Sequence, residues 1–332
     1  MPALDRRGMP PHAVLVAGAG RSGTTWLGKL LDADPWVLYR HEPDNVERLD
    51  WFREVPSRLE PDDAAPTARE AFRRGLWRCL DRHALHFVRP PRFPKAFLRP
   101  APFALLEQGL RAAGRLVRDH SPEVPIPGPV WRGDRDRIHL VLKSVISNLR
   151  LAWLRRQFPT LRVVLIVRHP GGYLSSWLRG VAREGWRGFG NRDRLDPVVL
   201  PLRRPEHEAL RPLYEKGTPF ERELVYWIVA NETPLLELAE DPDCRTVVYE
   251  RLCEDPQGEL AAVYRHCGLE PGAATRGFVE ASTSRHDDAY HAVFKDPSHV
   301  AWAWRRHLDD AQVRTVESAL ARTSLAPLWS TL

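Results

Sequence analysis

The stretch Ala13-Val14-Leu15-Val16-Ala17, followed at once by Gly18-Ala19-Gly20-Arg21-Ser22-Gly23 and Thr24-Thr25-Trp26-Leu27, decides how this chain folds. Five consecutive apolar residues make a short strand, and the glycine-rich run makes a tight turn. Trp26, Leu27, Leu30 and Leu31 then fall on one side of a helix predicted over Thr24–Asp34. A strand, turn and helix in this order aim several backbone N–H groups at one point, and the helix dipole adds positive potential there. The result is a cradle for an anion. Gly18 and Gly23 match the nucleotide-triphosphatase pattern G-x-x-x-x-G-K-[ST], but Thr24 stands where the lysine belongs, and the cation sits inside the loop as Arg21. Such a loop serves a triphosphate with magnesium poorly. A single phosphate or phosphosulfate, held by amides, Thr24, Thr25 and one cation, is served well.

Outward from this loop, strands alternate with helices. Val37–Tyr39, Ile138–Leu142, Val163–Val167 and Thr246–Tyr249 read as further strands. The apolar, largely β-branched run Val163–Val167 suits a central parallel strand buried on both faces. Helical patterns cover Thr67–Val88, Pro102–Arg118, Asn148–Phe158, Pro170–Arg183, Phe220–Glu240 and a segment ending at Cys267. Asp309 with Gln312 forms a capping-box start for a helix over Asp309–Arg322. This alternation predicts an α/β fold, a P-loop-like core with a central, mainly parallel sheet flanked by helices. One domain is expected over residues 1–332. Segments around 44–65, 90–130 and 185–219 read as insertions, the first and last without a clear period.

The chain has 332 residues, 43% hydrophobic and 28% charged, an ordinary globular balance. Its net charge of +6 is spread along the sequence; it reads as a solvated surface more readily than as an anion-binding face. A nucleic-acid partner is not expected. Cys79, Cys244, Cys253 and Cys267 form no C-x-x-C pair and join no histidines at zinc spacing. They read as buried thiols in a reducing compartment, and no metal is implied. Met1–His12 lacks the apolar core of a signal peptide, and no apolar run approaches bilayer length. A soluble cytoplasmic protein without a transmembrane segment is the expectation.

Gly20-Arg21-Ser22-Gly23-Thr24-Thr25-Trp26-Leu27 resembles the 5′-phosphosulfate loop of the sulfotransferase family. Arginine at the cationic place is similar to the carbohydrate and bacterial branches, where the cytosolic branch usually has lysine. A second match is Arg168-His169-Pro170 with Ser175-Ser176-Trp177, which resembles the family's 3′-phosphate motif. An arginine at the carboxyl end of a parallel strand points into the crevice where open α/β sheets bind ligands. Arginine also makes bidentate, charge-assisted contacts to phosphate. Taken alone, either residue is more often structural, Arg168 as a surface ion-pair residue and Ser176 as a helix-packing hydroxyl. A third match, Val247-Val248-Tyr249-Glu250-Arg251-Leu252, resembles the family segment whose tyrosine packs on adenine; Arg251 replaces its usual aspartate, and Tyr249 reads equally as a core residue closing a strand. The three matches lie in family order between Val14 and Leu269. The resemblance implies 3′-phosphoadenosine 5′-phosphosulfate as donor, without a metal. It would be held by Arg21, Ser22, Gly23, Thr24, Thr25, Trp26, Arg168, Ser176 and Tyr249.

Sulfuryl transfer needs a base for the acceptor and positive charge at the leaving phosphate. The cytosolic branch uses a histidine two residues after a lysine. Here Lys143 is present, but Val145 occupies the histidine position. The carbohydrate-type branches imply a glutamate after the second strand, which points to Glu42. His41, with a suitable ordinary pKa, is the alternative base, and a plain ion pair between Glu42 and Arg40 is the ordinary structural reading. Lys143 and Arg21 are the candidates for the leaving oxygen. Ser144 is expected to assist at the donor, and Lys295, Arg305 or Arg306 to close over it. The acceptor implied is a small-molecule or carbohydrate hydroxyl, or an amine. The insertions are expected on the acceptor side and would shape its pocket, with Trp51, Phe52, Trp186 and Phe189 available to stack on a ring. Two other functions stay open at this point: a phosphotransferase or nucleotide kinase using the same loop, and a non-catalytic nucleotide-binding protein.

Overall fold

In the computed structural model, residues 8–45, 54–116, 122–133, 135–200, 202, 204–284 and 300–331 are described. Five strands form one sheet in the order β2-β5-β1-β6-β7: β1 (Ala13–Ala17), β2 (Val37–His41), β5 (His139–Ser144), β6 (Arg162–Val167) and β7 (Cys244–Val248). Every pairing in this sheet is parallel. The remaining strands, β3 (Arg82–His83) and β4 (Val124–Pro125), pair antiparallel in a separate ribbon. The parallel α/β expectation is therefore met, and each main strand runs within two residues of its predicted span.

Parallel strands must be buried on both faces, and the alternation of side chains sorts them. Leu15, Ala17, Val163, Leu165 and Val167 face one core, which also holds Phe72, Trp153 and Trp227. Val14, Val16, Val164 and Ile166 face the other. There α1 (Thr24–Asp32) packs its Leu27, Leu30 and Leu31 against Val263 and Tyr264.

The helices differ from the periodicity reading where proline or polar side chains end them. Helix α1 stops two residues early, because Asp34 Oδ1 turns back to accept the Trp36 N–H at 2.7 Å. The segment predicted as one helix over Thr67–Val88 is α2 (Pro66–Asp81), then β3, then a 3₁₀ turn at Leu85–Phe87. Helix α3 spans Pro100–Leu116, α4 Leu151–Gln157 and α5 Pro170–Glu184. The stretch 185–219 is a correction to the sequence reading. It contains short helices at Arg192–Val199, Pro205–Glu208 and Arg211–Lys216, too short and too rich in proline and arginine to carry a period. Helix α6 (Pro219–Glu237) is closed by a Thr218–Glu221 capping box. Beyond β7 come α7 (Tyr249–Glu254), α8 (Pro256–Cys267), α9 (Ala273–Thr283), which the sequence reading left unassigned, and α10 (Asp310–Leu320) with the expected Asp309–Gln312 box.

The turn after β1 is shaped by its neighbours. A Cβ on Gly18 would lie 2.5 Å from the Ile166 carbonyl oxygen and 2.8 Å from its side chain, so β6 excludes any larger residue there. Gly23 has φ 90° and is seated on the Tyr249 ring, which makes it doubly restricted. Gly18→Ala is expected to destabilise the fold by about 1–3 kcal/mol, the usual scale for overpacking; an unchanged urea midpoint would contradict this account of the turn.

Candidate active site

The carboxyl ends of β1, β2, β5 and β6 reach the same edge of the sheet, where open α/β sheets bind ligands. The loop after β1 leads directly into α1, whose first amides have no partner within the helix. A Cβ on Gly20 would meet nothing within 4 Å, so the loop is open on that side. Thr24 is 2% exposed and Thr25 half-buried. Ser22 is buried and its Oγ finds no hydrogen-bond partner among the described residues. The Trp26 side chain turns inward and donates from Nε1 to Ser282 Oγ at 3.1 Å. What Trp26 offers the loop is its main-chain N–H.

The second anion-recognition segment folds onto the first. Arg21 Nε donates to Ser176 Oγ at 3.1 Å, joining residues 155 positions apart. Arg168, just past β6, donates from Nη1 to the Arg21 carbonyl and from Nη2 to the Val300 carbonyl, each at 3.1 Å. Its Nε is buried without a hydrogen-bond partner among the described residues. A buried guanidinium N–H without a partner is a donor still available to an acceptor. The Arg168 guanidinium also lies 4.6 Å over the Tyr249 ring, whose phenol is pushed upward by burial. Tyr249 starts α7 rather than ending a strand, is 8% exposed, and supports Gly23 from below. Glu250 next to it accepts the His169 N–H at 3.1 Å and the Trp329 Nε1–H at 2.8 Å, which fixes the turn carrying Arg168.

The register of β2 on β5 places His41 opposite Lys143. Glu42, one residue on, donates its N–H to the Lys143 carbonyl at 2.8 Å, and its carboxylate pairs with Lys143 Nζ. Lys143 is 2% exposed, so it is no solvent lysine. The partner of Glu42 is thus Lys143 and not Arg40, which points the other way and donates to the carbonyls of Cys79 at 2.7 Å and Arg82 at 2.6 Å. Asn45 Nδ2 donates to the second Glu42 oxygen at 2.8 Å. Burial pushes the Glu42 carboxyl up, but Lys143, by charge and hydrogen bond, together with Asn45 and His41, holds it below its ordinary value. Burial is also the chief cause that lowers Lys143, opposed by Glu42.

His41 fares differently. Burial and the Lys143 charge lower it to about 3, its Nδ1 is 2.9 Å from Tyr39 Oη, and its Nε2 is 3.7 Å from Glu42. An imidazole so depressed holds a proton weakly. Arg21 (φ 69°) and Glu42 (φ 46°) are two of the three non-glycine residues with positive φ among the described residues. Such backbone costs roughly 1–3 kcal/mol per residue and gathers at functional sites.

Ser144 is a correction. Its Oγ donates to Asp44 Oδ2 at 2.6 Å, and Asp44 also receives Ser147 Oγ at 2.8 Å and Arg150 Nη2 at 2.6 Å. This buried network props up the loop behind Glu42, and the Ser144 hydroxyl is occupied there. Asp44 and Asn45 were missed in sequence because a loop aspartate and asparagine carry no pattern. Trp186 lies over Arg21, 5.4 Å from its guanidinium, and stands edge-on to Trp177 at 5.2 Å; Phe189 packs 6.0 Å from Trp177. Arg305 is exposed and lies 4.6 Å over Trp302. Arg306 is also exposed. Lys295, Trp51 and Phe52 lie outside the described residues. No group of three metal-binding side chains and no helix long and apolar enough to cross a membrane occur among the described residues.

Comparison with known proteins bears on this geometry. A model described as the sulfotransferase family matches residues 11–272, from β1 to the helix α8 and beyond. The chain belongs to the sulfotransferase family. It is accordingly an enzyme, a transferase of sulfuryl groups. Among curated relatives, carbohydrate sulfotransferase 7 of Mus musculus is 25% identical over 362 residues, covering 93% of this chain and 72% of that protein. Solved structures of partial similarity include the sulfotransferase domain of the Synechococcus PCC 7002 olefin synthase, at TM-score 0.42 and 15% identity over 94% of this chain and 95% of that one. Another is the sulfotransferase domain from the curacin biosynthetic pathway, at TM-score 0.45 and 14% identity over 95% and 99%.

The Glu42–Lys143 pair makes a pH prediction. A depressed carboxylate contributes stability above its unfolded pKa, and the contribution is lost as pH falls through the folded value. In Lys143→Met the largest lowering influence is gone and burial remains. Glu42 should then titrate above the ordinary carboxylate range, whereas in the parent it titrates below. Carboxyl carbon shifts followed by NMR between pH 2 and 8, roughly bracketing both cases, would reverse the assignment if the two proteins titrated alike.

Proposed function

We propose that this sulfotransferase moves a sulfuryl group from 3′-phosphoadenosine 5′-phosphosulfate to a hydroxyl, or an amine, of a small-molecule or carbohydrate acceptor. One observation supports the donor reading: the hydrogen bond of Arg21 to Ser176, with Arg168 donating to the Arg21 carbonyl, brings the two distant segments together. The loop amides, Ser22, Thr24 and Thr25 would take the 5′-phosphosulfate. Arg168 and Ser176 would take the 3′-phosphate.

The acceptor oxygen attacks sulfur in line, the bond from sulfur to the bridging phosphate oxygen breaks, and adenosine 3′,5′-bisphosphate leaves. The acceptor proton passes to the Glu42 carboxylate. Lys143, already beside that carboxylate, can turn its ammonium toward the leaving oxygen, where negative charge develops. Its departure leaves Glu42 buried without its cation and therefore a stronger base. Burial without protonation suits Glu42 to the role better than His41, whose basicity is suppressed. The kinase alternative lacks the loop lysine, since Thr24 holds that place.

Glu42→Gln should leave bisphosphate affinity intact and slow transfer by about two to four orders of magnitude. An unchanged rate would remove Glu42 from the base role. Arg168→Ala should weaken adenosine 3′,5′-bisphosphate binding roughly ten- to hundredfold, the scale of charge-assisted hydrogen bonds. Calorimetry in the presence of a chelator tests the donor class itself. Magnesium-dependent binding of adenosine triphosphate, with none of the bisphosphate, would favour the kinase. We extend the proposal to a reducing, cytoplasmic setting because all four cysteines are free thiols, three of them buried; cell fractionation that places the chain elsewhere would end that part.

A further inference from the structure

A second pocket lies away from the donor loop, beside the outer edge of β2. About 540 Å³ of empty space, part of it continuous with solvent, lies in and before it. Its floor is the middle of β2, its walls are the second half of α1 and the segment running from His83 through α3. Because β2 is an edge strand, pairing only with β5 in the sheet, this flank is covered by side chains and not by another strand.

Two features of the lining are unusual together. Tyr39, Phe87, Phe93 and Phe103 give it aromatic walls. Four cations, Lys29, Arg40, Arg92 and Lys95, also face it, against two carboxylates, Asp32 and Glu107. Both carboxylates are already shared. Asp32 takes Lys29 at 2.6 Å and Lys95 at 2.8 Å. Glu107 takes Arg92 and, at 3.2 Å, His83, whose imidazole burial holds below its usual value. Among the described residues Arg40 forms no ion pair; it donates to the backbone carbonyls of Cys79 and Arg82, and the charges of Asp32 and Glu123 act on it without direct contact. The lining therefore keeps a surplus of two positive charges, with Lys29 at 1% and Arg40 at 2% exposure. Dehydrated positive charge in excess is costly, and an anion entering the pocket would add to the partial compensation that Asp32 and Glu107 give.

We propose that this pocket is a binding site for a small organic anion with a flat apolar body, such as an aromatic carboxylate. The acidic group would lie among Lys29, Lys95 and Arg92, and the ring against Phe93 and Phe103. Lys29 already lies 4.8 Å over the Tyr39 ring, and Lys95 5.9 Å from that of Phe93, so cation and ring surfaces are interleaved at the spacing an aromatic anion presents. The site is not the acceptor position, because Glu42 stands beyond the carboxyl end of β2 and does not line it. It is nevertheless one contact from the catalytic end: Tyr39, which lines the pocket, is hydrogen-bonded to His41, which neighbours Glu42.

Fluorine NMR with 4-fluorobenzoate and 4-fluorobenzyl alcohol as probes, and with sodium sulfate added as a competitor, tests the assignment. The expected result is saturable binding of the benzoate, about tenfold weaker binding of the neutral alcohol, and no displacement of the benzoate by sulfate or by adenosine 3′,5′-bisphosphate. Arg92→Met changes a side chain 41% exposed at the pocket mouth, and Lys95→Met one within it. Each should weaken the benzoate about tenfold while bisphosphate affinity holds. Equal binding of acid and alcohol, affinity unmoved in both variants, displacement by sulfate, or displacement by the bisphosphate would each overturn the proposal.

Discussion

All five strands of the main sheet run in one direction, and the working end of the molecule follows from that constraint. Parallel pairing sends every strand's carboxyl end to the same edge. Segments far apart in sequence emerge there as neighbours: the loop after β1, Glu42 after β2, Lys143 near the end of β5 and Arg168 after β6. None of these needs a long loop to reach the others. The cost is that strands such as β6 must be apolar on both faces, and Val163–Val167 meets that demand.

At this edge the protein keeps its charges in an unrelaxed arrangement. Arg168 is held by carbonyls and an aromatic face, with its Nε–H left without a partner among the described residues. Glu42 and Lys143 neutralise each other, the lysine 2% exposed and the carboxylate side chain 23%. A buried pair is poor at raising stability but well suited to exchange partners when a new charge arrives. The strained backbone at Arg21 and Glu42 is consistent with positions held by their surroundings. Below the edge, the Asp44–Arg150 network and Glu250 act as fixed props, binding the turns that carry the reacting groups.

The same logic extends along β2. Its inward edge borders the Glu42–Lys143 pair, while its outward edge borders a cationic pocket. Tyr39 and Arg40 are adjacent in sequence, yet the pleat sends one toward α1 and the other toward Cys79, and both reach that pocket.

The sequence by itself determined the strand–loop–helix and the parallel sheet, and pointed to the two candidate anion-binding segments, because these depend on local spacing: glycines at a turn, apolar runs at strand length, an arginine at a strand end. It also placed the Asp309 cap, whose partner is three residues away. It could not assign the short helices after Gly185, which are set by packing on α6 rather than by their own period. It could not choose the partner of Glu42, since Arg40 and Lys143 are both cations at strand ends. Only the tertiary structure decided that choice, through the register of β2 on β5 that brings Lys143 alongside. Tyr249 makes the same point: a tyrosine after a strand is legible, but its place beneath Gly23 and Arg168 comes from the meeting of three loops that no local pattern records.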